Sequence, residues 1–326
     1  LAMPGTTVSP TTRSMRGATS RIPGSLRGWA WASFVSQALI IATGGAVRLT
    51  GSGLGCPSWP TCTPESLIPT EELTWHSMIE FGNRLMTGVV GIIALVVIIL
   101  LVRTGVARAR RDLWVLGVIV GSGVIAQALV GGVTVWTGLN PFIVGFHYVS
   151  SLLLVCVCAA FIVRMNEPGG ARTLAVPRWY AGLTHFTTFV LAVSIAFGVL
   201  TTGAGPHSGD VESGRNGFDA ALLEHVHAWP GYALLVLTIV LVTVASASDL
   251  RTRNWGIALL AIQLVQVAVG LYQARNGLPP LAVGVHMVLA ALTAGAMTVF
   301  ILRMKRPADA VAGADADAPA SVSASA

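Results

Sequence analysis

Runs of about 20 consecutive apolar residues recur along this 326-residue chain, each long enough to cross a bilayer as a helix. That feature narrows the fold more than any other. A backbone inside hydrocarbon must satisfy its own hydrogen bonds, and no periodicity-2 strand pattern accompanies these runs. Eight spans fit, at approximately 29–47, 77–102, 113–138, 142–163, 179–202, 221–247, 254–274 and 280–302. Charged residues make up 10% of the chain, against about 25% in a soluble domain. The expected fold is therefore an all-α integral membrane protein.

The basic residues set the orientation. The N-terminal tail, the loops after spans 2, 4 and 6, and the C-terminal tail together hold 16 of the 20. Arg48, Arg215 and Arg275 lie on the other side, and Arg84 lies within a span. The positive-inside rule then places both termini in the cytoplasm of a plasma-membrane protein. The excess of positive charge reports topology, so no nucleic-acid partner is expected.

The chain repeats itself. Gln127 lies four residues before Gly131 and twenty before His147; Gln266 stands in the same relation to Gly270 and His286. NPFIVGFH at 140–147 mirrors PPLAVGVH at 279–286. Glu80 precedes Asn83 by three residues, as Glu224 precedes His227, and TGSG at 50–53 mirrors TGAG at 202–205. Eight helices arranged as two tandem, pseudo-symmetric four-helix bundles follow, with both copies facing the same way because each has an even number of spans. The expected organisation is a disordered tail at 1–27, a first half at 28–165, a cytoplasmic linker at 166–178, a second half at 179–303 and a disordered tail at 304–326. The repeat also selects His227 over His225, which points about 200° away on the same helix.

Asn83, His147, His227 and His286 each lie roughly six residues into a span that starts on the outer side, which puts them at one level, about 9–10 Å deep. Histidines on facing helices of a bundle commonly hold a cofactor or metal; singly, each could instead be a hydrogen-bonded helix contact. No thiolate joins the set, and no C-x-x-C-H motif attaches a haem covalently. Small residues, among them Gly82, Gly88, Gly131, Gly132, Gly145, Gly231, Gly270 and Gly284, would let a flat macrocycle approach the helices. Haem held by paired histidines fits best, with Arg84 near a propionate. Gln127 and Gln266 read as interhelical hydrogen-bonders, and His185 and His225 as structural. Cys56 and Cys62 enclose five residues of an outer loop stiffened by prolines and Trp59, where a disulfide is expected to persist.

These residues carry a resemblance. GGAVRLTGSGLGCPSWPTC, EFGNRL, FHY, TGAGPHSGD, HVHA and GVH are similar to the motifs of the haem A synthase family, over nearly the whole chain from Gly28 to Arg303. The resemblance implies an oxidoreductase that converts haem O to haem A for cytochrome oxidase, by successive hydroxylations of a ring methyl to a formyl group. It implies a haem b between His227 and His286, and the substrate haem between the Asn83 position and His147. The family's essential glutamate falls on Glu80, and its extracellular cysteine pair on Cys56 and Cys62. Implied partners are haem O, a haem O synthase, oxidase assembly factors and membrane lipid; homo-oligomerisation stays open. The alternative is a dihaem b-type membrane electron-transfer cytochrome without haem-modifying activity.

One position departs from the family. Asn83 stands where the common motif has histidine, and an amide is a poor iron ligand beside imidazole. The substrate iron then has His147 and an open face, or His76 substitutes from two turns nearer the surface. His76, Glu80, Asn83 and Arg84 fall within about 80° of helical arc, a polar stripe facing a cavity. On it, Glu80 is expected to move protons, and Arg84 to pair with a propionate or with Glu80. If that pairing only aids packing, Glu80–Arg84 is a buried i,i+4 ion pair with no catalytic part.

Overall fold

The computed structural model describes residues 22–70 and 74–308. Eight of its helices are long and apolar enough to cross a membrane. They are α1 (Gly24–Leu49), α2 (Trp75–Arg103), α4 (Arg111–Trp136), α5 (Pro141–Met165), α6 (Arg178–Ala204), α7 (Ala220–Ala247), α8 (Arg253–Arg275) and α9 (Pro280–Arg303). A short α3 (Val106–Ala109) follows α2. Each long helix covers its expected span and extends it by a few residues at one end or both, except that α4 begins and ends two residues early.

The helix starts are written in local chemistry. Thr74 and Ser77 form a capping box that satisfies the free N–H groups at the head of α2. The Asn140 side chain accepts from the Phe142 amide at 3.0 Å, and Pro141 occupies the first turn of α5, where its missing N–H costs nothing. Asp219 caps α7 by accepting from the amides of Ala221 and Leu222. These three caps set the N-terminal ends of α2, α5 and α7, and hence the level of the residues one to two turns further on.

In the first half α1 packs on α2 and α5, and α4 on α2 and α5; in the second, α6 packs on α7 and α9, and α8 on α7 and α9. Helices α1, α5 and α9 meet along a central seam, where Ile41, Leu152, Val155, Ala291 and Ala294 are buried together. Tyr148 crosses this seam, its hydroxyl donating to the Met287 carbonyl at 2.8 Å.

Two segments depart from the expected organisation. Leu26 is fully buried and Ile22 nearly so, within a cluster that includes Leu101, Leu113 and Phe161, so helix α1 starts inside the stretch read as tail. Strand β1 (Arg172–Leu174), in the linker, pairs antiparallel with β2 (Lys305–Pro307), just past α9. Polar, arginine-rich segments carry no apolar period, so nothing local announces a pairing across 130 residues of chain. The remaining parts of the two expected tails, at 1–21 and 309–326, lie outside the described residues.

Candidate functional site

Helices α2, α5, α7 and α9 carry Asn83, His147, His227 and His286 respectively. The imidazoles of His227 and His286 face each other across the second half, ring centroids 6.1 Å apart and ring planes at 81°. An imidazole nitrogen binds a metal at about 2.0–2.1 Å, and its ring centre lies about 1.1 Å further, so two rings sharing one metal ion stand about 6.3 Å apart. The observed spacing meets that requirement. Among the described residues no group of three or more His, Cys, Asp or Glu side chains comes together as a metal site. A two-imidazole site suits a metal that brings its own equatorial donors, as a haem does.

Neighbouring helices shape this pair. The Nδ1–H of His227 donates to the Ser194 carbonyl of α6 at 2.9 Å, which leaves the Nε2 lone pair for a metal. A Cβ on Gly198 would lie 2.9 Å from Cε1 of His227, and one on Gly270 would lie 3.1 Å from Cε1 of His286. Both rings therefore rest on bare backbone. Gln266 donates to the His286 carbonyl at 3.2 Å, and Nδ1 of His286 has no partner among the described residues.

The first half repeats half of this. Gln127 donates to the His147 carbonyl at 3.1 Å, Gly131 faces Cε1 of His147 at a would-be Cβ distance of 3.6 Å, and Nδ1 of His147 is likewise without a partner among the described residues. At the level of His227, however, stands Asn83. Its Oδ1, the atom with any capacity to bind a metal, accepts from Thr43 Oγ1 of α1 at 2.7 Å. His76 lies higher, with Nδ1 3.0 Å from Ser52 Oγ and its ring stacked on Trp75 at 3.8 Å. It lines an open outer cleft with Thr50, Leu54, Thr74 and Asp210.

Above Asn83 the polar stripe turns toward a loop. Arg84 and Glu80 form an ion pair at 2.6 Å. Glu80 Oε2 accepts from the Cys56 amide at 2.7 Å, while Arg84 donates to the carbonyls of Thr61 at 2.8 Å and Cys56 at 3.0 Å. Cys56 and Cys62 form a disulfide, and both are buried. The enclosed Trp59 lies flat on α4: a Cβ on Gly132 would come within 2.5 Å of its ring, and Trp136 meets it edge-on at 5.3 Å. Adjacent glycines thus serve two neighbours, Gly131 the imidazole of His147 and Gly132 the indole of the roof.

The second half has no such roof. Glu224 is exposed where Glu80 is 5% exposed, and Ala228 stands in the place of Arg84. Its outer loop is tied instead by Arg48 of α1, which donates to the carbonyls of His207 at 2.7 Å and Thr202 at 3.0 Å. His185 and His225 are exposed, apart from the paired rings.

Several of these contacts were not legible beforehand. Ser194 acts through its carbonyl, which any residue carries. Gly198 lies in α6, whose own histidine, His185, is exposed and stands apart from the paired rings. Gly82 and Gly88 face open space, with no protein atom within 4 Å of a would-be Cβ.

The sequence profile of a family described as "Cytochrome oxidase assembly protein" matches residues 27–206. Curated relatives named "Heme A synthase" include one from Lysinibacillus sphaericus, 40% identical over 129 residues, or 39% of this chain and 41% of the relative. One from Listeria welshimeri is 28% identical over 155 residues, covering 46% of this chain and 50% of the relative. The matched stretch thus spans half the length, or less, of these relatives.

Proposed function

This chain belongs to the family of cytochrome oxidase assembly proteins, and from that premise we propose that it is a haem A synthase, an oxidoreductase that converts a ring methyl of haem O to a formyl group. The observation that carries the reading is the inequality of the two halves. One level of the molecule presents an imidazole pair in the second half and a single imidazole in the first, and the half with one imidazole is the half with the roof.

In this reading His227 and His286 hold a resident haem b as a bis-imidazole site. The Ser194 carbonyl fixes the His227 tautomer, and Gly198 and Gly270 set the ring positions. When bound, that haem supplies one-electron redox chemistry. His147 holds the substrate haem through its iron. Asn83, its oxygen committed to Thr43, leaves the opposite face of that iron open. Turning the methyl into a formyl group adds one oxygen atom, taken here from water, and releases four electrons to an external acceptor and four protons. Glu80 is the proton acceptor on that side, one turn above Asn83 on the same face and excluded from water. Arg84 holds the Glu80 carboxylate and, through Thr61 and Cys56, the roof that keeps the reacting face dry.

The two halves act as tandem four-helix units in a plasma membrane, with both termini in the cytoplasm and the roof outside. A haem O synthase supplies the substrate, and the product serves cytochrome oxidase assembly. Coexpression with a haem O synthase in a host lacking haem A tests this directly: extracted haems should include haem A. Haem O alone, with the protein present in the membrane, overturns the reading.

A further inference from the structure

The end of the helix bundle at which α1 starts and α9 stops holds two clusters of arginine, one around the half-buried Asp112 and one around the buried Glu167, and they differ in balance. In the first, Asp112 receives two guanidinium groups. Arg110 reaches both its oxygens at 3.0 Å, and Arg164 reaches Oδ2 at 3.1 Å. The remaining Arg110 donors reach the carbonyls of Glu167 at 3.0 Å and Arg164 at 2.7 Å. Every nitrogen of Arg110 is occupied.

In the second, three guanidinium groups converge on one carboxylate. Glu167, 8% exposed, is met by Arg172, by Arg303 at 3.0 Å and by Arg251 at 3.8 Å. Lys305 and Arg306 follow Arg303 on β2, where Arg306 pairs with Thr173, next to Arg172 in the chain, and the Lys305 carbonyl accepts from Arg251 at 3.3 Å. Here donors are left over. Nε and Nη1 of Arg172, whose side chain is 7% exposed, have no partner among the described residues, nor do Nε of Arg303 and Nε of Arg306. Three guanidinium groups to one carboxylate, with unfilled donors on the buried Arg172 side chain, call for an anion.

The site also lies at the right height for one kind of anion. Arg303 sits over the ring of Trp255 at 5.2 Å, and both Trp255 and Trp179 turn exposed faces outward at the same ends of their helices. Exposed tryptophans at helix ends mark the headgroup level of a bilayer. Seventeen residues of α9 separate Arg303 from His286, roughly 25 Å, so this site is separate from the paired imidazoles.

We propose that the Arg172, Arg251, Arg303 and Arg306 cluster binds the phosphodiester of an anionic membrane phospholipid from the adjoining leaflet. Planar guanidinium groups match phosphate oxygens in pairs, and basic recesses between membrane helices receive such headgroups. The ligand bridges the two halves of the chain, since Glu167 and Arg172 follow α5 whereas Arg251 and Arg303 belong to the second half. Arg251, which is exposed, and Arg306, which is half-buried, form the mouth of the site, and Arg172 its floor.

The test is native mass spectrometry of the purified full chain, delipidated and then incubated with phosphatidylglycerol, with phosphatidylcholine or with inorganic phosphate. One phosphatidylglycerol per chain should be retained about tenfold more strongly than phosphatidylcholine, and phosphate should neither bind nor compete. The double variant Arg251→Gln, Arg306→Gln should lose this preference, and Arg253→Gln, a surface arginine paired with Asp249, should keep it. Equal retention of the two lipids, retention unchanged in the double variant, or displacement by phosphate overturns the proposal. If the double variant does not fold, the comparison of the two lipids on the unaltered chain still decides.

Discussion

The N-terminal ends of α2 and α7 each carry a glutamate three residues before the residue at the level of the imidazoles, and the two glutamates sit in different surroundings. Glu80 and Glu224 occupy equivalent places, three residues before Asn83 and His227. Glu80 is buried, paired with Arg84 and bonded to the Cys56 amide; Glu224 is exposed. Position in a helix therefore does not fix a carboxylate's surroundings: Glu80 faces the disulfide loop, and Glu224 faces none. The glutamine, glycine and histidine on α4 and α5 make the same contacts as those on α8 and α9, whereas α2 and α7 differ.

That contrast can be broken at its strongest point. His227→Ala and His286→Ala should each abolish a low-spin haem b spectrum, since removing either imidazole leaves a single ligand; a variant that keeps the spectrum removes that residue from the site. Asn83→His should make the first half like the second. A second bis-imidazole spectrum is expected in haem-loaded protein, with haem A formation reduced to near background, because the open face of the substrate iron is closed. A fully active Asn83→His protein with one low-spin centre would show that the open face has no role.

The next effect concerns the paired glutamates. Glu80→Gln keeps an acceptor for the Cys56 amide and loses the charge that holds Arg84. Haem A yield should fall about 10²-fold or more, the scale of a lost proton-transfer group, while haem b content stays unchanged. Glu224→Gln should leave the yield within about twofold of the unaltered protein. Chromatography of haem O, the alcohol intermediate and haem A in the two variants reads both at once. Equal yields from Glu80→Gln and the unaltered protein would reduce the Glu80–Arg84 pair to an anchor for the roof.

Smaller effects separate the roof from the chemistry. Cys56→Ser with Cys62→Ser opens a short loop, with an expected loss of about 2 kcal/mol of stability from chain entropy alone. Thermal unfolding in detergent measures it, and peptide mapping of the unreduced protein should find the disulfide intact beforehand. Gly132→Val should expel Trp59 from its seat on α4 and shift its fluorescence, with haem b unaffected. An unchanged emission spectrum would contradict the contact. Gly198→Ala should act on the other half, weakening haem b retention by crowding His227 and leaving Trp59 as it was.

The amino-acid sequence by itself determined the eight spans, the level of Asn83, His147, His227 and His286, the choice of His227 over His225, and the pairing of Cys56 with Cys62. The reason is that lipid admits few backbone solutions. Once helices are required, a rise of 1.5 Å and a turn of 3.6 residues convert spacing into depth and direction. The repeat then supplies a second reading of each position.

The tertiary structure decided what that one-dimensional code does not carry. Backbone groups have no side-chain signature, so the Ser194 carbonyl beneath His227 and the Cys56 amide on Glu80 could be found only in place. A glycine announces that space is available but not which neighbour fills it. Gly131 and Gly132 serve His147 and Trp59, and Gly198 serves His227. The junction of Glu167 with Arg172, Arg251 and Arg303 joins residues up to 136 positions apart. Its members look in sequence like ordinary basic loop residues, because a charge on a loop is cheap wherever it lies, and only the packing of α5 against α9 brings them to one carboxylate.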